Sequence, residues 1–504
     1  MNIITKGHEL DDAVRQVLQL FFDISTDFTA VSELSVENNI YKAAATITIG
    51  DKTAYGNMEK QLFSPYNNLH NSNTHEAMCL QSECASRGQA QSAFSPLRKD
   101  VSDLIKKSVF FACKKISDMP TPWGVSTGIR PAKTARMMLD DGFSDDEILK
   151  FMQDEYFVSV PKAQLSLTVA KKEAELLEHR EKNGISIYVG VPFCPTRCSY
   201  CSFISQAVAH NKKFLEPYAE ALMKEIEATA ALAQSFGYKA ETVYFGGGTP
   251  TTLPPEILDK VIKKVKDCFD ISILREFTVE AGRPDTFSDE MLSVLLENGV
   301  NRISINPQTM NQKTLDLIGR KHTVEDTVKA FEMTRKYNSF SINADIIAGL
   351  PGETPEDFQK TVKEVTKLNP DAVTVHTMYM KRAARLIDEF ENLRFATNTG
   401  EMVDYSHKYL IESGFNPYYM YKQRNTLGNL ENTAFAKPGH ESLYNIYIME
   451  EIQTIFALGG GASTKMVKGD RIERVFNPKE AGDYIKRIDE IIAKKKKAVE
   501  FLKD

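Results

Sequence analysis

Apolar residues in the middle of the chain recur in short runs, each followed by a stretch with helical spacing. The runs are 185–192, 242–245 (TVYF), 277–280 (FTVE), 302–305 (RISI), 342–347 (INADII) and 372–376 (AVTVH). Between them, 214–236, 255–269, 289–298, 324–337 and 355–368 repeat their apolar positions at three- and four-residue intervals. Such alternation predicts right-handed β–α crossovers onto a parallel sheet. Six units over 185–380 fit a partial barrel, although spacing alone does not separate one from an open sheet. In a barrel, functional side chains belong at the carboxyl ends of the strands.

The flanks read differently. Residues 1–184 form an α/β part: helical spacing at 10–22, 101–116 and 162–179, and a hairpin over 41–54 turning at Gly50 and Asp51. Polar residues from 67 to 91 read as a loop. The stretch PTPWGVSTGIRPAK at 120–133 holds the single Trp, and its prolines and glycines predict a fixed turn packed on a core. Arg130 and Lys133 as anion-binding groups are the functional alternative for that turn. Residues 381–504 read as a smaller α+β domain.

Composition narrows the classes. The chain has 504 residues, 42% hydrophobic and 26% charged, enough for two or three domains. A formal net charge of −6 gives no basis for nucleic acid as the main partner. No apolar run is long enough to span a bilayer, and the first residues lack the apolar core of a signal peptide. Seven cysteines, an odd number, fit a reducing cytoplasm better than a disulfide framework. Cys79, Cys84 and Cys113 show no metal-like pattern, and Cys268 reads as a buried small hydrophobe.

The other three cysteines carry the chemistry. YVGVPFCPTRCSYCSF at 188–203 sets Cys194, Cys198 and Cys201 in a C-x₃-C-x₂-C array. Three thiolates at this spacing reach one small metal centre and leave it a ligand short of four. A zinc knuckle with a distant fourth ligand is the structural alternative, but no second C-x₂-C half follows. The loop Gly246–Gly247–Gly248–Thr249–Pro250 follows the second run, and Glu280, Gln308 and Asp345 fall at or just after later run ends. A tight turn and a helix cap are the bland readings of the first two. The functional one is convergence, with backbone N–H groups and a carboxylate brought to a ligand.

The triad resembles that of the radical S-adenosylmethionine (SAM) superfamily. Tyr188, GGGTPT, Glu280, Gln308, GRKH at 319–322 and NADIIAGLPGET at 343–354 resemble its oxygen-independent coproporphyrinogen III oxidase group. PWGVSTGIRPAK and the later GHESLYNIYIMEE at 439–451 look most like the HemZ-type coproporphyrinogen dehydrogenases. The resemblance implies a partial (β/α)₆ radical SAM barrel. It implies a 4Fe-4S cluster on Cys194, Cys198 and Cys201, whose open iron takes the amino acid part of SAM. By position, Tyr188, Gly247 and Glu280 would contact that SAM. Tyr200, Gly248, Thr249, Gln308, Arg320 and Asp345 would line a second SAM or substrate region.

The implied activity is oxidative decarboxylation of coproporphyrinogen III to protoporphyrinogen IX in haem synthesis, with electrons from a donor such as flavodoxin or ferredoxin. No protein group is assigned as the catalyst. Two departures matter. The oxidases carry one more cysteine after the triad, where this chain has Ser202 and Phe203. Haem chaperones of the sister group lack that cysteine too, but carry a His-Asn pair where this chain reads Tyr444–Asn445. Tyrosine also ligates haem iron, so haem carriage, with His440 nearby, is a second reading. Another radical SAM reaction on tetrapyrroles, such as ring opening with methyl transfer, is a third. Beyond the barrel, Lys381, Arg382 and Arg385 read equally as propionate partners or a solvated helix start. Tyr418, Tyr419 and Tyr421, with Lys422 and Arg424, read as core or as a macrocycle platform. The Gly-rich stretch 459–463 reads as a turn, and 494–497 as the wet face of a helix.

Overall fold

The computed structural model describes residues 2–22, 26–37, 40–61, 91–201, 206–379, 398–423, 426–469 and 471–503. Cys79, Cys84, Ser202, Phe203, Lys381, Arg382, Arg385, Arg424 and nearly all of the polar stretch 67–91 lie outside them. Two compact units result. One comprises residues 1–129 and 145–164, the other 130–144 and 165–504.

In the first unit, β1 (Asn2–Lys6), β2 (Thr29–Glu37), β3 (Ile40–Ile49) and β4 (Lys52–Gln61) form one sheet in that order. β1 and β2 are parallel and the other pairs antiparallel. The β3–β4 hairpin turns at Gly50, as the alternation over 41–54 predicts. Helix Asp11–Phe21 buries Val14, Val17, Leu18 and Phe21 against this sheet's core, and helix Gln91–Lys114 buries Leu104, Ile105, Val109 and Cys113. Trp123 is fully buried. Helix Asp145–Tyr156 of this unit and helix Ala132–Asp140 of the second have no counterpart in the sequence expectations.

The second unit is built on six parallel strands. They are β5 (Gly184–Val191), β8 (Lys239–Gly247), β9 (Glu276–Glu280), β10 (Arg302–Ser304), β11 (Ser341–Ala348) and β12 (Ala372–Thr377). After β5, the two-residue strands β6 (Phe193–Cys194) and β7 (Gln206–Ala207) pair beside the cysteine loop. Each of the six lies next to its successor in chain order, parallel throughout. A doubly wound open sheet would reverse its order at a switch point. Single winding without reversal is the partial (β/α)₆ barrel.

The strands alternate as a two-faced sheet must. Ile187, Val189, Val243, Phe245, Phe277, Val279, Ile303, Ile346, Val373 and Val375 are buried in one core with the crossover helices. Tyr188, Tyr244, Glu280, Asp345 and His376, on the other face, stay partly open. Helix starts are written locally. Thr354 caps helix Pro355–Lys367, and Asp357 closes a capping box behind a proline at the first turn.

Residues beyond 398 extend the same sheet on both sides. β13 (Asn416–Lys422) and β14 (Glu431–Ala436) add antiparallel strands next to β12. β15 (Ile455–Gly459) lies parallel to β5, followed outward by β16 (Ser463–Lys468) and β17 (Arg471–Phe476). Gly459 brings β15 close. A Cβ there would stand 2.2 Å from the Gly190 carbonyl, and its φ is +92°. Lys494, Lys496 and Lys497 are exposed, but Lys495 is not. Its Nζ lies 2.7 Å from Glu225 Oε1 and donates to the Ala457 carbonyl, with both side chains buried. The expectation of a wholly wet lysine face fails there because helix Ile488–Ala498 packs that position onto the core.

Candidate active site at the strand ends

Helix Leu443–Glu450 shapes one end of the strand interior. The Glu276 carboxylate, at the start of β9, accepts hydrogen bonds from Ser442 Oγ (2.9 Å), Leu443 N (2.5 Å) and Tyr444 N (3.4 Å). A carboxylate at a helix amino terminus satisfies orphan N–H groups and the positive end of the helix dipole. That anchor sets Tyr444 against Tyr244, with ring centroids 4.4 Å apart, and against Tyr188 at 6.2 Å. The three stacked rings fill the interior beneath the strand ends.

Above the stack, the Tyr244 hydroxyl donates to Glu280 Oε1 at 2.5 Å. Burial pushes the Glu280 carboxyl up to about 7, with the Tyr244 bond opposing. A Cβ at Gly246 would stand 3.2 Å from that carboxyl carbon, and one at Gly247 3.4 Å from the Tyr188 hydroxyl. At Gly248 it would lie 2.5 Å from the Phe193 carbonyl. Glycines at 246–248 therefore keep backbone and carboxylate within reach of one another, with room that side chains would fill.

The cysteine loop follows β5. Cys194, Cys198 and Cys201 are all half-buried. Among the described residues no three His, Cys, Asp or Glu side chains are gathered as a ready site for a single metal ion. Thr249 Oγ1 lies 3.5 Å from Cys194 Sγ. Ser199 N and Oγ both donate to the Ile318 carbonyl at 3.1 Å, pinning the loop to the segment before Gly319 and Arg320. Arg320 is buried and donates to the Asn306 carbonyl at 2.5 Å. Burial opposes its charge, but Tyr200 and Cys198 more than offset that and hold it firmly protonated.

Along the end of β10 and just beyond it, three buried polar atoms lack a protein partner: Ser304 Oγ, Asn306 Oδ1 and Gln308 Oε1. Gln308 has a left-handed backbone (φ 66°), fixed by its N–H on the Asp345 carbonyl and its carbonyl under Ile347 N, both 2.9 Å. Buried polar groups in folded chains are almost always paired. Three orphans in one row fit a bound polar molecule. Asp345 accepts from Asn343 Nδ2 at 2.7 Å and lies 3.6 Å from His376 Nε2. Burial would raise its pKa, yet His376, Asn343 and Thr374 hold it below the usual range. Tyr421 reaches His376 Nδ1 at 3.3 Å.

Several residues are resolved by position. Tyr418 and Tyr419 are core, whereas Tyr421 is partly open beside His376. Burial lowers the Lys422 ammonium to about 7, against the pull of Glu431. Arg130 pairs with Glu451 at 2.9 Å and donates to the Met449 carbonyl, a structural role. Cys268 is half-buried, more open than its apolar run implies, and packs on the core edge. Sequence reasoning missed Arg283, Tyr244 and His376. For Tyr244 and His376 the available signal was their alternation with the buried residues of β8 and β12.

Comparison with known proteins follows the same lines. Residues 188–365 match the radical SAM superfamily. The oxygen-independent coproporphyrinogen-III oxidase-like protein HemZ of Bacillus subtilis (strain 168) is 37% identical over 75% of this chain and 77% of its own length. The chain belongs to the radical SAM superfamily, in its coproporphyrinogen oxidase-like branch. The heme chaperone HemW of Lactococcus lactis is 31% identical over 62% of this chain and 79% of that protein. The solved coproporphyrinogen III oxidase of Escherichia coli matches with a TM-score of 0.49 at 24% identity, covering 65% of this chain and 72% of that one. The matched range takes in β5 from Tyr188 and runs through β8, β9, β10 and β11 into the helix Pro355–Lys367, stopping short of β12. No helix among the described residues is long and apolar enough to cross a membrane.

Proposed function

We propose that this chain is a radical SAM oxidoreductase of porphyrin synthesis that converts coproporphyrinogen III to protoporphyrinogen IX without oxygen. One observation carries the reading. The cysteine loop and the glycine-lined loop at 246–248 meet at the ends of β5 and β8, beside Glu280 and the unpartnered polar row of β10.

In this reading Cys194, Cys198 and Cys201 hold a 4Fe-4S cluster. Tyr188, Gly247 and Glu280 contact SAM. Tyr200, Gly248, Thr249, Gln308, Arg320 and Asp345 line the neighbouring SAM or substrate region. Bound there, cluster and SAM supply one-electron reduction and hydrogen-atom abstraction. The chain's own contribution is placement. Glu280, poised near neutrality, accepts from a ribose diol when ionised and donates when protonated. The Tyr188–Tyr244–Tyr444 stack excludes water from beneath. Residues 185–380 carry the chemistry, 1–184 are accessory and 381–504 complete the sheet. A flavodoxin or ferredoxin in the cytoplasm supplies electrons.

Haem carriage is less well supported. Tyr444 is 4% exposed within the ring stack, and His440 is engaged through Nδ1 with Ser341 Oγ at 3.1 Å. The deciding experiment incubates reconstituted protein anaerobically with SAM, a reductant and coproporphyrinogen III. The expected products are 5′-deoxyadenosine and a tetrapyrrole lighter by two CO₂ and four hydrogens. SAM cleavage with an unchanged tetrapyrrole, or one heavier by methyl, sinks this substrate assignment. Stoichiometric haem binding without turnover, lost on Tyr444→Phe, would favour the chaperone.

A further inference from the structure

We propose that Arg283 and Asp285 act as a charged pair that sets the reduction potential of the centre held by the cysteine loop. This rests on the cluster assignment above. Arg283 stands three residues past the end of β9, and its side chain is 3% exposed. Its Nε and Nη2 each donate to one carboxylate oxygen of Asp285 at 2.9 Å, a two-bond fork. The fork leaves Nη1 free to point elsewhere. Nη1 donates to Thr196 Oγ1 at 3.1 Å and to Cys198 Sγ at 3.8 Å. The guanidinium thus meets the carboxylate through Nε and Nη2 and the ligand sulfur through Nη1.

The arrangement exceeds what anchoring a loop requires. Thr196 is already reached by the same nitrogen, and Ser199 separately fixes the loop to Ile318. Arg320, buried on the GRKH segment, is also held charged in part by Cys198. His322, within electrostatic reach of both arginines, is buried with neither ring nitrogen hydrogen-bonded. Burial and then the two arginines hold it neutral. An iron–sulfur cluster on three thiolates is anionic and gains negative charge on reduction. Hydrogen bonds to its sulfurs and nearby charge are the protein's main controls on its potential. Inside a protein such charges act with little screening. A cation at the sulfur favours the reduced form, and a carboxylate behind it tempers the effect.

The two members of the pair therefore predict opposite signs. Removing Arg283 leaves Asp285 uncompensated and moves the potential negative. Removing the Asp285 charge leaves Arg283 uncompensated and moves it positive. The test is an EPR-monitored reductive titration of anaerobically reconstituted protein without SAM, with iron counted per chain. It compares the parent with Arg283→Gln, Arg283→Lys and Asp285→Asn. Support is a negative shift in Arg283→Gln, a smaller one in Arg283→Lys, and a positive shift in Asp285→Asn. If Arg283→Gln takes up no iron, the sign in Asp285→Asn decides. Parent-like potentials, or shifts of one sign in all three, overturn the proposal while leaving the cluster assignment standing. A parent that assembles no iron–sulfur centre overturns both.

Discussion

The Tyr244 hydroxyl and the Glu280 carboxylate, 36 positions apart in the chain, meet at 2.5 Å above a stack of tyrosine rings. Burial raises Glu280 to about 7, so its proton is held more tightly folded than unfolded. The stability this gives is complete below the ordinary value of 4.5 and is lost as pH rises towards 7. Glu280→Gln should therefore gain on the parent across that window, by on the order of 3 kcal/mol at its upper end. Urea midpoints at pH 5 and pH 8 measure it. Parallel behaviour of the two proteins would show that the carboxyl is not desolvated. The same variant should bind SAM about tenfold more weakly, the loss of about 1.4 kcal/mol.

Tyr444 separates two roles in one residue. Tyr444→Phe keeps the ring against Tyr244 and should unfold within about 1 kcal/mol of the parent. Tyr444→Ala empties the stack and should cost about 3–5 kcal/mol. Equal losses in both would mean that the hydroxyl, and not the ring, is what matters.

Lys495 is expected to be the sensitive member of its lysine run. Lys495→Met leaves Glu225 buried without its cation, for about 3–5 kcal/mol of lost stability. Tyr484 and Asn477, which also bond Glu225, do not carry a charge to replace it. The double variant Glu225→Gln/Lys495→Met should recover much of that loss. Lys494→Ala and Lys497→Ala should be nearly silent in the same thermal melts.

Gly248→Ala tests the closeness of the glycine loop to the cysteine loop. The added carbon meets the Phe193 carbonyl at 2.5 Å, next to Cys194. The clash should cost about 1–3 kcal/mol and displace the cysteine loop. Iron retained after reconstitution is the readout. Parent-like iron would show that the two loops are not mutually constrained.

The barrel strands were legible because each is an apolar run cut by glycine or proline and followed by helical spacing. Glu280 ends β9 as that pattern implies, whereas Gln308 lies four residues past β10 and Asp345 falls inside β11. Arg283 was not, since its meaning lies in Cys198, 85 positions away. Tyr444 needed Glu276 to place it, 168 positions back. In the lysine run, four identical residues carry no mark of which one turns inward. Helices Ala132–Asp140 and Asp145–Tyr156 are short, and the second is rich in acids, so their apolar faces are too sparse to register.

The β15–β5 pairing has a bearing on how the protein is made. Glu225 waits for Lys495, 270 positions downstream, and the outer edge of β5 waits for Ile455–Gly459. During translation the strand that leads into the thiol loop is synthesised long before its neighbour and spends that interval with a bare flank. Nascent chains halted before residue 455 should be prone to strand-to-strand aggregation.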